Sequence, residues 1–454
     1  MSILNVNKIN PVGGGSTVTI AGIASVTNNI SVGNSVTAGS FVGPIEGAVT
    51  GNVTGNVTGN ADTASGLSGN PSINTTGIVT ATSFVPTVGQ LSHRNIIING
   101  ACLVQQRSTS GSATNGYATV DRFQTANVGN DEMPTQGSFD VSAPGQYHLP
   151  TTGPHPYKEG FRKAFGVTNG NQTSGAGAAD VVAIRYSVEA QDIANSGWHY
   201  TDSSSFITLS FWVKSSVAQN FYGYLLTLDG TMQRYAFETG ALTAFTWKKV
   251  VLKIPGNSNI TVDNNNAEGF RIEWRPFSGT DETDSGVSLN TWGAFAGGTR
   301  TPDSPTTWYT TNDASFQITG VQLEVGTVST PFEHRSYADE LRRCQRYYQR
   351  QAGTSDVYIQ PGKGQGTTAI DAGYALAVPL RAEPTVACAS NRVFKHNGYS
   401  NSTTAPSVAH WSATNSPYSS VIALRFTGHS SITSNYVCAW CPTFGSVLTL
   451  DAEL

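Results

Sequence analysis

Residues 47–61, GAVTGNVTGNVTGNA, repeat a four-residue phrase that holds no aromatic ring and no charge. Because the period is even, strand parity is kept: Val49, Val53 and Val57 share one side with Gly51, Gly55 and Gly59, while Thr and Asn fall on the other. One face is small and apolar, the other small and polar. A single chain of this kind buries too little surface to offset its ordering entropy, so the stretch either stays unordered or packs against something else. Three copies side by side would close the Val/Gly face around a common axis where only small side chains fit. A Gly/Ser/Thr-rich flexible linker is the plain alternative.

The same thinness extends over residues 1–92, whose only charges are Lys8, Glu46 and Asp62 and whose only aromatic rings are Phe41 and Phe84. VTAGSFVG (36–43) recurs as VTATSFVP (79–86), a self-similarity expected of stacked units in a slender stalk. The whole chain has a net charge of -4 and 12% charged residues, with no Lys/Arg stripe, which points away from nucleic acid as a partner. Five cysteines (102, 344, 388, 438, 441) at irregular spacing read as reduced, mostly buried thiols rather than a disulfide framework. The opening MSILNVNKINP has no basic region followed by an apolar stretch, and no run of about 18 apolar residues occurs, so neither signal peptide nor membrane insertion is expected.

From residue 94 the pattern changes to aromatic-rich alternation. FITLSFWVK (206–214) puts Ile207, Leu209, Phe211 and Val213 on one face; KKVVLKI aligns Val250, Leu252 and Ile254; FRIEWR alternates Phe270, Ile272 and Trp274 with charges. In FQITGVQLEVG the apolar parity shifts across Gly320, which predicts a β-bulge there. Many such strands over more than two hundred residues fit a β-sandwich of jelly-roll type. SYADELRRCQRYYQR (336–350) predicts one helix, opened by Ser336 three residues before Asp339 and carrying Tyr337, Leu341, Cys344 and Tyr348 at helical spacing. GYALAVPL, VIALRF, NYVCAW and SVLTL then return to strand and make a smaller β domain. The expected fold is mainly β: a virion-attachment segment and slender trimeric stalk over 1–92, a jelly roll over 93–335, a connecting α-helix over 336–350 and a distal β domain over 351–454 that, as the tip, is expected to carry receptor binding.

RNIIINGACLVQQRSTS (94–110), YATVDRF (117–123) and FQITGVQLEVGTVSTPFEHRSYADELRRCQRYYQR (316–350) resemble the opening and closing signatures of a jelly-roll module of bacteriophage tail fibres, itself similar to carbohydrate-binding modules. SILNVNKINPVGGGSTVTIAG resembles the N-termini of structural proteins of cyanobacterial phages. The resemblance implies a virion appendage, a homotrimeric fibre joined to tail or baseplate proteins through its N-terminal segment and contacting the host surface.

The CxxC of Cys438 and Cys441 lacks the second ligand pair that tetrahedral zinc requires, and Asp263, Glu268, Asp281, Glu282 and Asp284 lack EF-hand spacing, so no metal or other cofactor is expected. Nothing matches a catalytic motif, and the few acids lie in polar loops, which speaks against glycoside hydrolysis. Planar rings near polar loops suit pyranose faces: Trp292, Trp308 and Tyr309 in the jelly roll, then Tyr399, Trp411 and Tyr418 in the last domain, with His396 and His410 beside them. The expectation is therefore a non-enzymatic tail fibre on the virion surface, made in the host cytoplasm, that attaches to host surface polysaccharide. A depolymerase spike and a structural capsid fibre or decoration protein are the alternatives.

Overall fold

The structure is a computed structural model describing residues 93–143, 153–352, 360–389, 392–396, 407–410, 420–428, 437–442 and 447–454. The readings made on residues 1–92 and on Tyr399, Trp411 and Tyr418 lie outside the described residues.

The alternating stretches become strands β1 (Phe123–Thr125), β2 (Thr135–Asp140), β3 (Lys163–Thr168) and β4 (Val181–Glu189), a short helix α1 (Ala190–Ala194), then β5 (Phe206–Ser215), β6 (Tyr222–Thr227), β7 (Gln233–Glu238), β8 (Lys248–Pro255), β9 (Glu268–Ser278) and β10 (Trp292–Ala294). One helical turn, α2 (Thr307–Thr310), precedes β11 (Ser315–Val325). Two sheets result, ordered β2-β3-β11-β5-β8 and β1-β4-β9-β6-β7-β10. The inner runs β3-β11-β5-β8 and β4-β9-β6-β7 have the strand order of an eight-stranded jelly roll, as the alternation predicted. Period-two patterning supplies the core: Ile207, Leu209, Phe211 and Val213 of one sheet meet Phe270, Ile272 and Trp274 of the other, with the Phe211 and Trp274 rings edge to face at 5.5 Å.

The bulge falls where expected. Along β11, Thr319 pairs with Trp212 and Gln322 with Ser210, so three steps on one strand face two on the other. Gly320 takes the extra position at φ +62°, and a Cβ there would stand 2.7 Å from the Phe161 ring.

The helix α3 (Tyr337–Gln345) starts as predicted, with the Ser336 hydroxyl accepting from the Asp339 N–H. It ends five residues earlier than expected, because Tyr348 already opens β12 (Tyr348–Ala352), whose pairing with the end of the chain outweighs helix propensity. Cys344 packs on Ile98 and Val104, with Leu341 beside it, whereas Tyr337, expected on that face, is exposed. Strands β13 (Gln360–Gln365), β14 (Ala369–Ala375), β15 (Thr385–Ala389), β16 (Arg392–His396), β17 (Ser407–His410), β18 (Val421–Thr427), β19 (Val437–Pro442) and β20 (Val447–Asp451) complete the chain. They form a sheet β12-β20-β15 and a sheet β16-β19-β13-β14-β18-β17 around Ile370, Tyr374, Leu424, Phe426, Leu448 and Leu450.

Four arginines join these sheets to the jelly roll. Arg346 makes a two-pronged pair with Glu189 at 2.8 Å, and Arg381 donates to the carbonyls of Ala452, Glu453 and Asn266. Arg107 meets Asp451 at 3.1 Å and Glu453 at 3.3 Å, while Arg122, only 1% exposed, pairs with Glu453 and lies 3.4 Å over the Tyr347 ring. Arg122 sits at φ +73°, a left-handed position rare for a bulky residue, just before β1. Cys102 and Cys344 are buried thiols, and burial pushes Cys102 up to about 12. Among the described residues no helix is long and apolar enough to cross a membrane.

Candidate functional site

The side chains of the six-stranded sheet that miss the core alternate with those that build it. On β9 these are Arg271, Glu273 and Arg275; β4 adds Arg185, β6 adds Tyr224 and β7 adds Arg234. Glu273 is fully buried between Arg185 Nε at 2.7 Å and Arg275 Nη2 at 2.8 Å. Burial alone would push its carboxyl up, but the guanidinium groups of Arg275 and Arg185 override it and hold the group below the usual carboxylate range. Arg275 continues to Glu282, which also takes Arg300 at 2.9 Å. This ladder ties the loop after β9 down onto the sheet.

That loop and β10 build a cavity of about 380 Å³ at the sheet edge, walled by Arg234, Asp284, Ser288, Thr291, Trp292 and Thr299. Each wall has a local cause. Asp284 Oδ1 accepts from the Gly286 N–H at 2.7 Å, Asn290 N donates to Ala236 O at 2.8 Å, and Phe295 N donates to Met232 O at 2.9 Å. β10 lies antiparallel on β7 with Gly293 opposite Arg234, so no side chain fills the space above the guanidinium. Trp292 is 8% exposed and its ring belongs to the core, a correction to its reading as a stacking platform: its Nε1 donates to Pro255 O at 2.7 Å and its ring packs 5.3 Å from Tyr235, on the sheet face opposite to Arg234. Asp284 accepts, Arg234 donates, and the hydroxyls do both. That donor and acceptor set matches a polyhydroxylated ligand.

The other expected ring positions fare no better. Trp308 and Tyr309 sit in α2 and are buried, a correction to their reading as stacking platforms. Trp308 Nε1 donates to Ser315 O, and the Tyr309 ring stacks on Phe277 at 4.2 Å, so neither face is open to a sugar. His396 and His410 close β16 and β17, opposite edge strands of the C-terminal six-stranded sheet, so strand order does not make them neighbours. Three of the five loop acids have partners of their own: Glu268 with Arg271, Glu282 with Arg275 and Arg300, Asp284 with its own turn. No cluster of three or more His, Cys, Asp or Glu side chains that could hold a metal occurs among the described residues.

The signature residues turn out to be framework. Asn95 bridges to Val321 and Leu323 of β11, Asn99 N donates to Glu340 Oε1 at 2.6 Å, and Arg335 donates to the carbonyl oxygens of Asn95 and Ile97. Opening and closing phrases therefore clamp each other. A larger cavity of about 760 Å³ between α3 and Val378–Pro379 begins at His93, the first described residue.

No protein-family model matches the chain, and no curated protein matches it. Among solved structures, the family 11 carbohydrate-binding module of a cellulosomal cellulase of Clostridium thermocellum is 13% identical, covers 49% of this chain and 98% of its own, and gives a TM-score of 0.22. The N-terminal cellulose-binding domain of Cellulomonas fimi β-1,4-glucanase C is 10% identical over 50% of this chain and 99% of its own, at 0.23. A tandem of family 22 modules from Paenibacillus barcinonensis Xyn10C is 9% identical over 80% and 100%, at 0.21. Likeness at this level assigns neither family nor ligand. The class defined by the fold itself is an antiparallel jelly-roll β-sandwich with a β extension bound to it.

Proposed function

We propose that this chain is a non-catalytic adhesive fibre protein of a virus particle, most specifically a bacteriophage tail fibre, that holds host surface glycan. The observation that carries the glycan reading is the edge cavity: hydroxyls, a carboxylate and a guanidinium converge on a loop anchored by the Glu282–Arg275 and Glu282–Arg300 pairs. The fibre reading rests on the Val/Gly periodicity of residues 47–61 and on the resemblance of residues 94–350 to tail-fibre modules. In this reading three chains join along the N-terminal segment, which also docks on tail or baseplate. Weak sites on one rigid body then gain avidity on the order of 100-fold or more. Tyr399, Trp411 and Tyr418 form a second contact, supported by their sequence setting alone.

Binding of the full chain to host surface polysaccharide, followed by co-sedimentation, tests this. Thr291→Tyr, which fills the cavity from an exposed position, should weaken binding at least about tenfold, the equivalent of one good contact. Full binding by Thr291→Tyr together with loss by Trp411→Ala would move recognition to the C-terminal sheets. Release of reducing ends from the polysaccharide would contradict the non-catalytic reading.

A further inference from the structure

Arg234 is the odd cation of the sheet. Arg185, Arg271, Arg275 and Arg300 each have a glutamate within 4 Å, but among the described residues Arg234 has no carboxylate partner at that range. It is nevertheless 92% buried, given an exposure of 8%. Among the described residues its Nε has no hydrogen-bond partner, and its one bond is a long 3.5 Å contact from Nη1 to Arg300 O. A buried guanidinium keeps its charge, so leaving it unpaired is costly unless something supplies an anion. The cavity lies over this group, and Gly293 on the facing strand keeps it open: a Cβ there would already come within 3.6 Å of Nη2.

We infer that the cavity selects an acidic sugar unit, with Arg234 receiving a carboxylate or sulfate oxyanion in the two-pronged geometry that a guanidinium favours. This rests on the cavity being the glycan site and names the charge class it takes. Asp284 stands in the same wall beyond ion-pair range of Arg234, where it can accept from a sugar hydroxyl.

Titration calorimetry of the full chain with trigalacturonate, its carboxyl-reduced neutral form and an O-sulfated galactotriose tests the inference. The wild-type protein should bind at least one acidic probe about tenfold or more tightly than the neutral one, with a preference that shrinks as salt rises. Arg234→Met should lose that preference and fold with an unliganded melting temperature equal to or above wild type; Arg234→Lys should retain part of it. Carboxylate and sulfate are told apart by which acidic probe wins. Equal binding of neutral and acidic probes, or an intact preference in Arg234→Met, overturns the inference and leaves the glycan reading standing. Binding of none of the three, while host polysaccharide is still held, also overturns it; if host polysaccharide is not held either, both readings fail.

Discussion

Glu453 is the last residue but one of the sequence given, yet it neutralises two buried cations of the jelly roll. Its side chain is 5% exposed; Oε2 pairs with Arg122 and Oε1 stands 3.3 Å from Arg107 Nη1. Glu453→Gln keeps the volume and removes the charge. Arg107 then still has Asp451 at 3.1 Å and Asp121 at 3.8 Å, but Arg122 keeps the Ser187 carbonyl at 2.6 Å and the Tyr347 and Tyr186 rings, and among the described residues no other carboxylate within ion-pair range. Stranding one buried charge costs about 3–5 kcal/mol. For a body of this size that lowers Tm by roughly 4–10 °C. Urea unfolding of the full chain followed by tryptophan fluorescence reads the loss, with Asp140→Asn as control, since the exposed Lys163–Asp140 pair should be worth under about 1 kcal/mol. The double variant Arg122→Met/Glu453→Gln should be less destabilised than the sum of its parts, because it strands no charge. A loss for Glu453→Gln no larger than for Asp140→Asn would refute the latch.

Two further changes probe the frame. Gly320→Ala forces a side chain into a left-handed position against Phe161 and should cost roughly 2–4 kcal/mol, read as a lower urea midpoint at unchanged slope. Asp121 is pushed up to about 6 by burial, against which its bonds from Gln106 and the nearby Arg107 act only in part. A carboxyl whose folded pKa is raised binds its proton more tightly in the native state, so its contribution is fully present below about pH 4 and is lost as pH rises toward 6. Asp121→Asn should flatten that part of the stability profile between pH 4 and 6, and an unchanged profile would contradict the assignment.

Local rules made much of this fold legible. Alternation in 206–214, 248–254 and 270–275 marked β5, β8 and β9, the parity slip at Gly320 marked the bulge, and Ser336 marked the start of α3. What escaped depends on distant partners. The end of α3 is set by Tyr348 pairing with Asp451, and nothing near Tyr348 signals it. Arg107, Arg122 and Glu453 each look like ordinary surface charges until the fold stacks them. Trp308 and Tyr309 stand among Thr and Asn and read as loop, yet Phe277 and β11 cover them. The cavity escaped: Trp292 was picked as an open ring but packs in the core, and Arg234 meets a pocket only because the loop after β9 folds over that face of the sheet. The expectation that residues 351–454 act as a separable tip misses the same latch, since those residues hold the partners of Arg107 and Arg122.

The most direct measurement is a crystal structure of the full chain soaked with an oligosaccharide of the host surface polysaccharide. The account predicts an uncleaved sugar in the cavity over β7 and β10, within hydrogen-bond distance of Arg234 and Thr291. Sugar bound only by the C-terminal sheets, or a cleaved product anywhere in the protein, would contradict it.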